Sequence, residues 1–204
     1  PVDSKGIKPA LESCKAAGIP VVDVDTMVDD PDLVVTQVAS DCIKLGKLCG
    51  EAMAKALNGS GNIIVITTDV IRPARDRSTG FKEVMKNYPG INIVQYQDAQ
   101  TCSTEDALGL MENMLQANSA IQGVFAHNDE MALGAVEAVG NKKILVVGFD
   151  ATDDAVAAVK AGKMAATVAQ KPNLMGETAV ETAIQILQGE TVEKTIPVEV
   201  EDRK

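Results

Sequence analysis

The stretch from Gly123 to Phe149 contains one complete strand–helix–strand unit: Gly-Val-Phe-Ala-His-Asn-Asp-Glu-Met-Ala-Leu-Gly-Ala-Val-Glu-Ala-Val-Gly-Asn-Lys-Lys-Ile-Leu-Val-Val-Gly-Phe. Its first four residues form a short apolar run, Asn128 can cap the helix that follows, and Gly140 ends that helix. A second apolar and mostly β-branched run, Ile144–Phe149, comes next. Such alternation of apolar runs with helical segments is typical of an α/β fold with a parallel sheet.

The same alternation extends outward over nearly the whole chain. The predicted strands are 21–25, 34–38, 62–67, 91–96, 123–126, 144–149, 165–169 and a short run at 196–200. The predicted helices are 5–17, 41–57, 74–87, 104–117, 129–139, 152–161 and 173–188. Most strand runs are continuously apolar, which indicates that helices cover both faces of the sheet, as in a doubly wound fold.

The number of predicted strand–helix pairs differs between the middle of the chain and its two flanks. Residues 41–170 hold five strands with their helices, which is enough for a complete doubly wound lobe. The flanks hold too few strands to close a sheet alone, so we assign 1–40 and 171–195 to a partial N-terminal lobe. The C-terminal lobe then comprises 41–170 and 196–204.

Composition excludes several classes of protein. The chain has 204 residues, of which 29 are acidic and 19 basic, giving a formal net charge of −10, whereas nucleic-acid-binding domains are normally basic. Hydrophobic residues make up 46% and charged residues 24%, close to the averages for globular domains and unlike a disordered chain. Aromatic residues make up only 2%, so aliphatic side chains and methionine must build the core. The chain also has too few aromatic rings for a protein that binds single-stranded nucleic acid by base stacking.

The cysteines and the single histidine predict neither a metal site nor a cofactor site. Cys14, Cys42, Cys49 and Cys102 show no Cys-x-x-Cys or Cys/His spacing, and His127 is the only histidine. We interpret the four thiols as free and buried, with a disulfide as the alternative.

Polar side chains follow several of the predicted strands, where parallel α/β sheets bind their ligands. These residues are Asp25, Asn128, Asp150 and Gln170, together with three arginines, Arg72, Arg75 and Arg77, in the segment after the strand ending at Thr67. Carboxylates, amides and a guanidinium can accept from and donate to neighbouring hydroxyl groups, so the set fits a neutral polyhydroxyl ligand.

Each of these residues has a simpler explanation. Asn128 could serve only as a helix cap, and Asp25 and Asp150 could be solvated loop carboxylates. Phe149, just before Asp150, is equally compatible with the core and with a ligand-facing position.

Signals for catalysis are weak. The sequence has no Gly-x-Gly-x-x-Gly after a strand, no phosphate-binding loop, no Gly-x-Ser-x-Gly, and no Cys/His or Ser/His pairing beyond the lone His127. Asp25 and Asp150 could be imagined as a glycosidase pair, but any two acids allow that. We therefore predict a binding protein rather than an enzyme.

Three segments together resemble a known family. Val124–Ala135, Val146–Asp150 and Ala165–Gln170 are similar to the periplasmic ribose-binding protein family, the type I sugar-binding components of ABC transporters. This family is related to the effector domains of lactose-repressor-type regulators. The resemblance continues through Ile19–Asp25, Ala39–Asp41 and Arg75–Phe81, and so covers essentially the whole chain.

The resemblance implies two α/β lobes that are joined by three crossovers and close, by a hinge motion, over a monosaccharide or polyol. It also implies delivery to an ABC permease, a chemoreceptor as a further partner to consider, and a periplasmic protein or extracytoplasmic lipoprotein. The effector domain of a lactose-repressor-type regulator is the alternative function. The ligand contacts it implies are Asp25, Arg77, Asn128, Asp150 and Gln170, with Phe149 lining the site and Ser40 as a weaker contact.

The sequence departs from the family pattern in three places. Thr26 stands where ribose binders have an arginine, which leaves the identity of the sugar open, and 100–104 contains no aromatic residue to stack on it. Relatives begin with a β-α-β-α-β segment before the position of Pro1, roughly 60 residues at about 30 per βαβ unit. We therefore expect an N-terminally truncated chain that either associates with itself or has a companion N-terminal fragment.

Overall fold

The computed structural model describes residues 1–118 and 120–199, which form eight strands and seven α-helices. The strands are β1 Val22–Val24, β2 Thr36–Ala39, β3 Ser60–Thr67, β4 Gly90–Asp98, β5 Gly123–Ala126, β6 Leu145–Asp150, β7 Ala166–Ala169 and β8 Thr195–Pro197. The helices are α1 Lys8–Ala16, α2 Cys42–Ala56, α3 Arg72–Met85, α4 Thr104–Ala117, α5 Asp129–Val139, α6 Asp153–Lys160 and α7 Pro172–Leu187, and a short 3-10 helix spans Pro31–Leu33.

The chain divides into two compact units. The central unit comprises 42–69 and 74–169, and its five strands form a parallel sheet in the order β4-β3-β5-β6-β7. The flanking unit comprises 1–41, 70–73 and the described residues from 170 onward, and its three strands form a parallel sheet in the order β1-β2-β8. The predicted α/β class with parallel sheets is confirmed.

The last strand corrects one predicted boundary. We assigned 196–204 to the C-terminal lobe, but Val38 of β2 pairs with Ile196 of β8, and the Val198 N–H donates to the Ala39 carbonyl at 2.9 Å. Val198 is buried in a small apolar cluster with Val38, so this part of the chain completes the flanking sheet. Residues 200–204 of that predicted segment lie outside the described residues.

The loop before α3 is a second difference from the predicted organisation, in which 41–170 was one uninterrupted lobe. Val70–Pro73 belongs to the flanking unit, because the Ser4 N–H donates to the Val70 carbonyl at 3.3 Å. The Arg72 N–H in turn donates to Ser4 Oγ at 2.9 Å. Because these hydrogen bonds join residues far apart in sequence, the sequence of the loop alone does not indicate that it belongs to the flanking unit.

The core of the central unit is aliphatic, as the composition predicts, with its few aromatic rings concentrated inside. All three phenylalanines are completely buried, and the Phe81 and Phe125 rings stack nearly parallel, at 4° with their centroids 4.2 Å apart. Phe81 lies on α3 and Phe125 on β5, so this stack fixes the helix against the middle of the sheet.

Helices α2 and α3 cross with their backbones in direct contact. A Cβ atom at Gly46 of α2 would collide with the backbone carbonyl of Arg77, and one at Gly80 of α3 would collide with the carbonyl of Ile43. Only glycine permits so close an approach, and the contact lies at the residue that the sequence singled out as a ligand-binding arginine.

The four cysteines are free, which confirms one part of their prediction. Only Cys42 and Cys49 are buried, whereas Cys14 and Cys102 are half-buried, so the other part is wrong for these two. Burial also raises the pKa of the Cys49 thiol, which disfavours the reactive thiolate.

Reactivity of the thiols should follow this division. Iodoacetamide applied to the folded chain is expected to modify Cys14 and Cys102 and to leave Cys42 and Cys49 intact, and all four should react in urea. Peptide mass spectrometry measures the labelled fraction at each position. Labelling of Cys49 at the rate of Cys14 in the folded chain would contradict this burial.

Candidate functional site

Arg77 is the buried centre of a polar cluster in the central unit. Its side chain is 7% exposed, and its guanidinium carbon lies 3.7 Å from the centre of the Phe149 ring. Nη1 donates to the carbonyl of His127 at 2.9 Å, and Nη2 lies 3.8 Å from Asp150 Oδ1. The guanidinium is therefore held beside the carboxyl ends of β5 and β6, where the sequence predicts a ligand.

Asp150 provides the negative charge opposite Arg77. It ends β6, and its side chain is 33% exposed. Asp150 has φ = 114° and Ala151 has φ = 54°, a backbone region that residues with a side chain rarely adopt. Two consecutive residues of this kind persist only where the surrounding structure holds them, and such backbone conformations concentrate at functional sites.

Asn128 caps helix α5, as the simpler explanation of this residue anticipated. Its Oδ1 accepts from the Met131 N–H at 2.9 Å, and its Nδ2 donates to the Cys102 carbonyl at 3.4 Å. The cap places a half-buried amide beside the loop that holds Cys102. Its contact with a sugar remains a prediction.

Phe149 takes the core position that the sequence left open. Its side chain is completely buried and the Arg77 guanidinium lies over its ring, and its role in lining a ligand site stays a prediction. An apolar ring and a guanidinium attract each other, and the alternation of side chains along β6 points Asp150 away from Phe149. Phe149 therefore supports Arg77 in this structure and does not itself present a ring to solvent.

The remaining predicted site residues lie in the flanking unit. Asp25 follows β1, is exposed, has φ = 68°, and donates its N–H to the Val38 carbonyl at 2.9 Å. Ser40 follows β2 but is only 3% exposed, with its Oγ 3.8 Å from the Met175 sulfur, which leaves little access for a ligand. Gln170 is half-buried in the link between β7 and α7.

A buried carboxylate that holds the turn containing Asp25 was missed at the level of sequence. Asp23 is 8% exposed, and its Oδ2 accepts from the Val28 N–H at 2.8 Å and from Gln37 Nε2 at 3.1 Å. Gln37 Nε2 also donates to the Val28 carbonyl at 3.1 Å. An acid inside an otherwise apolar run, Val21-Val22-Asp23-Val24, was the available signal, because a buried carboxylate needs donors.

His127 is the only histidine and is 1% exposed. Burial and the nearby positive charge of Arg77 lower the pKa of His127 to about 3, so the ring is neutral at physiological pH. Its Nε2 lies 3.7 Å from the Cys102 Sγ. Across 1–118 and 120–199, no group of three His, Cys, Asp or Glu side chains is arranged to hold a metal ion.

Acid should destabilise the fold through His127. We expect the free energy of unfolding to fall as the pH drops from 6.5 toward about 3, because only the unfolded chain takes up a proton on this ring. Between pH 7 and pH 5 this residue should account for about 2 kcal/mol. Urea unfolding of wild type and of His127→Gln at both pH values measures the difference, and identical pH dependence in the two chains would refute it.

The geometry defines what this cluster can do. A guanidinium, a partly exposed carboxylate and an amide lie beside neighbouring strand ends and offer both donors and acceptors. The residues Arg77, Asp150 and Asn128 carry no net charge together, and this arrangement suits hydroxyl groups that donate and accept at once.

The fold is that of an α/β solute-binding protein. Residues 1–191 match the family described as "Periplasmic binding protein domain", and the chain belongs to this family. The resemblance found in the sequence is confirmed. None of the helices among the described residues is long and apolar enough to cross a membrane.

Several relatives carry the name ribose import binding protein RbsB. The protein from Haemophilus influenzae is 41% identical over 203 residues, covering 98% of this chain and 68% of the relative. That from Bacillus subtilis is 42% identical over 210 residues, covering 100% of this chain and 67% of the relative. The chain thus spans about two thirds of the length of these relatives, which are named as import binding proteins.

Solved structures agree in fold along the whole chain. An ABC transporter periplasmic solute-binding protein from Actinobacillus succinogenes with bound D-allose is 33% identical, with a TM-score of 0.87, covering 98% of this chain and 74% of that protein. A solute-binding protein from Bacillus halodurans with bound myo-inositol is 33% identical, with a TM-score of 0.89, covering 97% and 70% respectively.

Proposed function

We propose that this chain binds a neutral monosaccharide or polyol as the solute-binding component of an ABC importer. The observation that carries the proposal is the partly exposed Asp150 carboxylate 3.8 Å from the buried Arg77 guanidinium, at the carboxyl edge of the central sheet. The names of the relatives support it, since they describe ribose import and sugar-bound or polyol-bound transport proteins.

The charges of the site favour a neutral ligand. Arg77 and Asp150 compensate each other, so an anionic ligand would meet the carboxylate and a cationic one the guanidinium. Hydroxyl groups can accept from Arg77 and donate to Asp150 without leaving either charge unpaired. Relatives named for D-apiose and xylitol, at 34% and 31% identity, widen the candidate class from ribose to pentoses and polyols generally.

The other predicted contacts take roles that follow from their exposure. Asp25 is exposed and is proposed as a hydroxyl acceptor, with Gln170 as an amide contact and the buried Ser40 as the weakest of the set. Asn128 is proposed to add a hydrogen bond beyond its cap, and Phe149 to act through Arg77. These assignments rest on position at strand ends and on burial.

The proposed partners are the permease of an ABC importer and, secondarily, a chemoreceptor, and no cofactor is required. The family indicates a periplasmic location, and a lipoprotein form is the finer proposal. The named relatives are import binding proteins, which favours transport over the effector domain of a transcription regulator.

A ligand panel tests this function. Native mass spectrometry of the purified chain reports retained ligand and oligomeric state, and isothermal titration then measures D-ribose, D-allose, xylitol and myo-inositol. We expect at least one of these to bind at one per chain, and the charged analogues D-gluconate and D-glucosamine to bind at least about 10-fold more weakly. Binding of no neutral sugar or polyol, or preference for a charged analogue, would overturn the proposal.

A further inference from the structure

We propose that Asp129 is a positioning residue that fixes the turn after β6 and thereby holds the Asp150 carboxylate beside Arg77. The proposal deepens the proposed sugar-binding function and rests on it. Asp129 begins α5 but is only 1% exposed, so its carboxylate points into the protein and not toward solvent. A buried carboxylate is costly unless several donors compensate it.

The donors that compensate Asp129 come from the turn after β6 and from the neighbouring strand β7. Asp129 Oδ2 accepts from the Thr152 N–H at 2.8 Å and from the Thr152 hydroxyl at 3.3 Å. Asp129 Oδ1 accepts from the Thr167 hydroxyl at 2.7 Å. Thr167 Oγ1 in turn accepts from the Ala151 N–H at 3.1 Å.

This network ties down both residues that follow Asp150. The Thr152 amide is bound by Asp129 directly, and the Ala151 amide is bound through Thr167 on β7. The network therefore holds the peptide groups on both sides of Ala151, which has φ = 54° and directly follows Asp150 with φ = 114°. Without the restraint the turn would relax toward common backbone angles and move the Asp150 side chain.

The neighbouring strand is shaped to admit this carboxylate. A Cβ atom at Gly148 of β6 would collide with Asp129 Oδ1, so a glycine leaves the space in which the oxygen accepts its hydrogen bond. Burial raises the pKa of Asp129, and the hydrogen bonds from Thr167 and Thr152 act against that increase. The charged form is therefore stabilised by Thr167 on β7 together with Thr152 of the turn.

A simpler role for Asp129 is a favourable interaction with the positive end of helix α5. Glu130 lies in the same first turn and is exposed, so it offers the same interaction without the hydrogen bonds to the turn. Glu130→Gln therefore removes the same charge from the helix end and serves as the matched control for Asp129→Asn.

The test compares amide hydrogen exchange in the full ligand-free chain by NMR. Asp129→Asn is expected to raise the exchange rate at the Ala151 and Thr152 amides by about 10-fold, because the asparagine NH2 group would face the N–H and hydroxyl donors that the carboxylate accepts from. Glu130→Gln is expected to leave both exchange rates unchanged. Thr167→Val should raise the exchange rate at Ala151 alone, and Thr167→Ser should keep the wild-type exchange rate. These two variants keep the test valid if Asp129→Asn folds poorly. Unchanged exchange at both amides, or a uniform increase over the central unit, would overturn the positioning role.

A titration with the tightest-binding member of the panel of D-ribose, D-allose, xylitol and myo-inositol links the turn to binding. We expect Asp129→Asn to lower the affinity for this ligand by about 10-fold, with Thr167→Val intermediate and Glu130→Gln equal to wild type. Faster exchange at 151 and 152 with wild-type affinity would overturn the link to Asp150. If the wild-type chain binds no member of the sugar panel, the proposed function fails, while the exchange rates still decide whether Asp129 holds the turn.

Discussion

An Asp150→Ala chain is expected to lose about 100-fold in affinity for its sugar while keeping its fold. The substitution removes the hydrogen-bond acceptor and leaves the Arg77 guanidinium, only 7% exposed, without the carboxylate 3.8 Å away. Losing a hydrogen bond between a ligand hydroxyl and a charged group costs about 1.5–3 kcal/mol, which corresponds to a loss of this size. Isothermal titration with the best ligand of the panel measures the change.

Two further chains separate this effect from general damage. Asp153→Ala removes an exposed carboxylate three residues later, in the first turn of α6, and should bind as wild type does. Asp150→Asn keeps the shape of the side chain and tolerates the unusual backbone angle, yet should still lose most of the affinity because its charge is gone. Wild-type affinity in both Asp150 variants would exclude this residue from the site.

Phe81→Ala should destabilise the fold more than any of the other substitutions. Phe81 is completely buried and stacks on Phe125 with 4.2 Å between ring centroids, so its removal leaves a cavity between α3 and β5. Replacing a buried phenylalanine by alanine costs about 3–5 kcal/mol. The chain has no tryptophan, so urea unfolding is best followed by circular dichroism.

The control for this substitution is an exposed apolar residue on another helix. Leu187 at the end of α7 is 79% exposed, and Leu187→Ala should change the free energy of unfolding by less than about 0.5 kcal/mol. Phe81→Leu should fall between the two chains, because leucine fills part of the cavity. A Phe81→Ala chain as stable as Leu187→Ala would mean that the stack contributes nothing.

Much of the fold could be predicted because its signals are local. The helices 104–117 and 129–139 and the strand 123–126 have the bounds that capping residues and apolar runs predict. Which of the two sheets contains β8 could not be predicted, because the pairing of Ile196 with Val38 joins residues far apart in sequence. Three residues of apolar sequence carry no information about which strand they will meet.

The candidate site could be predicted from the position of residues along a strand and from the family resemblance. The strand end predicts Asp150, the resemblance selects Arg77 among three nearby arginines, and the two lie together in the structure. Asp129 and Asp23 were not predicted, although each holds a turn that carries a predicted ligand residue. Whether an acid at a helix or strand end is buried depends on the donors that tertiary structure brings to it, and neither periodicity nor capping patterns report those donors.

The glycine crossing of α2 and α3 has a consequence for ligand preference. Because Gly46 meets the main chain of Arg77, and Gly80 meets that of Ile43, α3 cannot slide or rotate toward α2 without a backbone collision. The position of the Arg77 backbone is thus set by contacts between peptide groups, and these contacts do not change when side chains elsewhere are exchanged. Exchanges of exposed side chains elsewhere in the central unit are therefore expected to leave the charge of Arg77 in place, so ligand preference could be altered without displacing it.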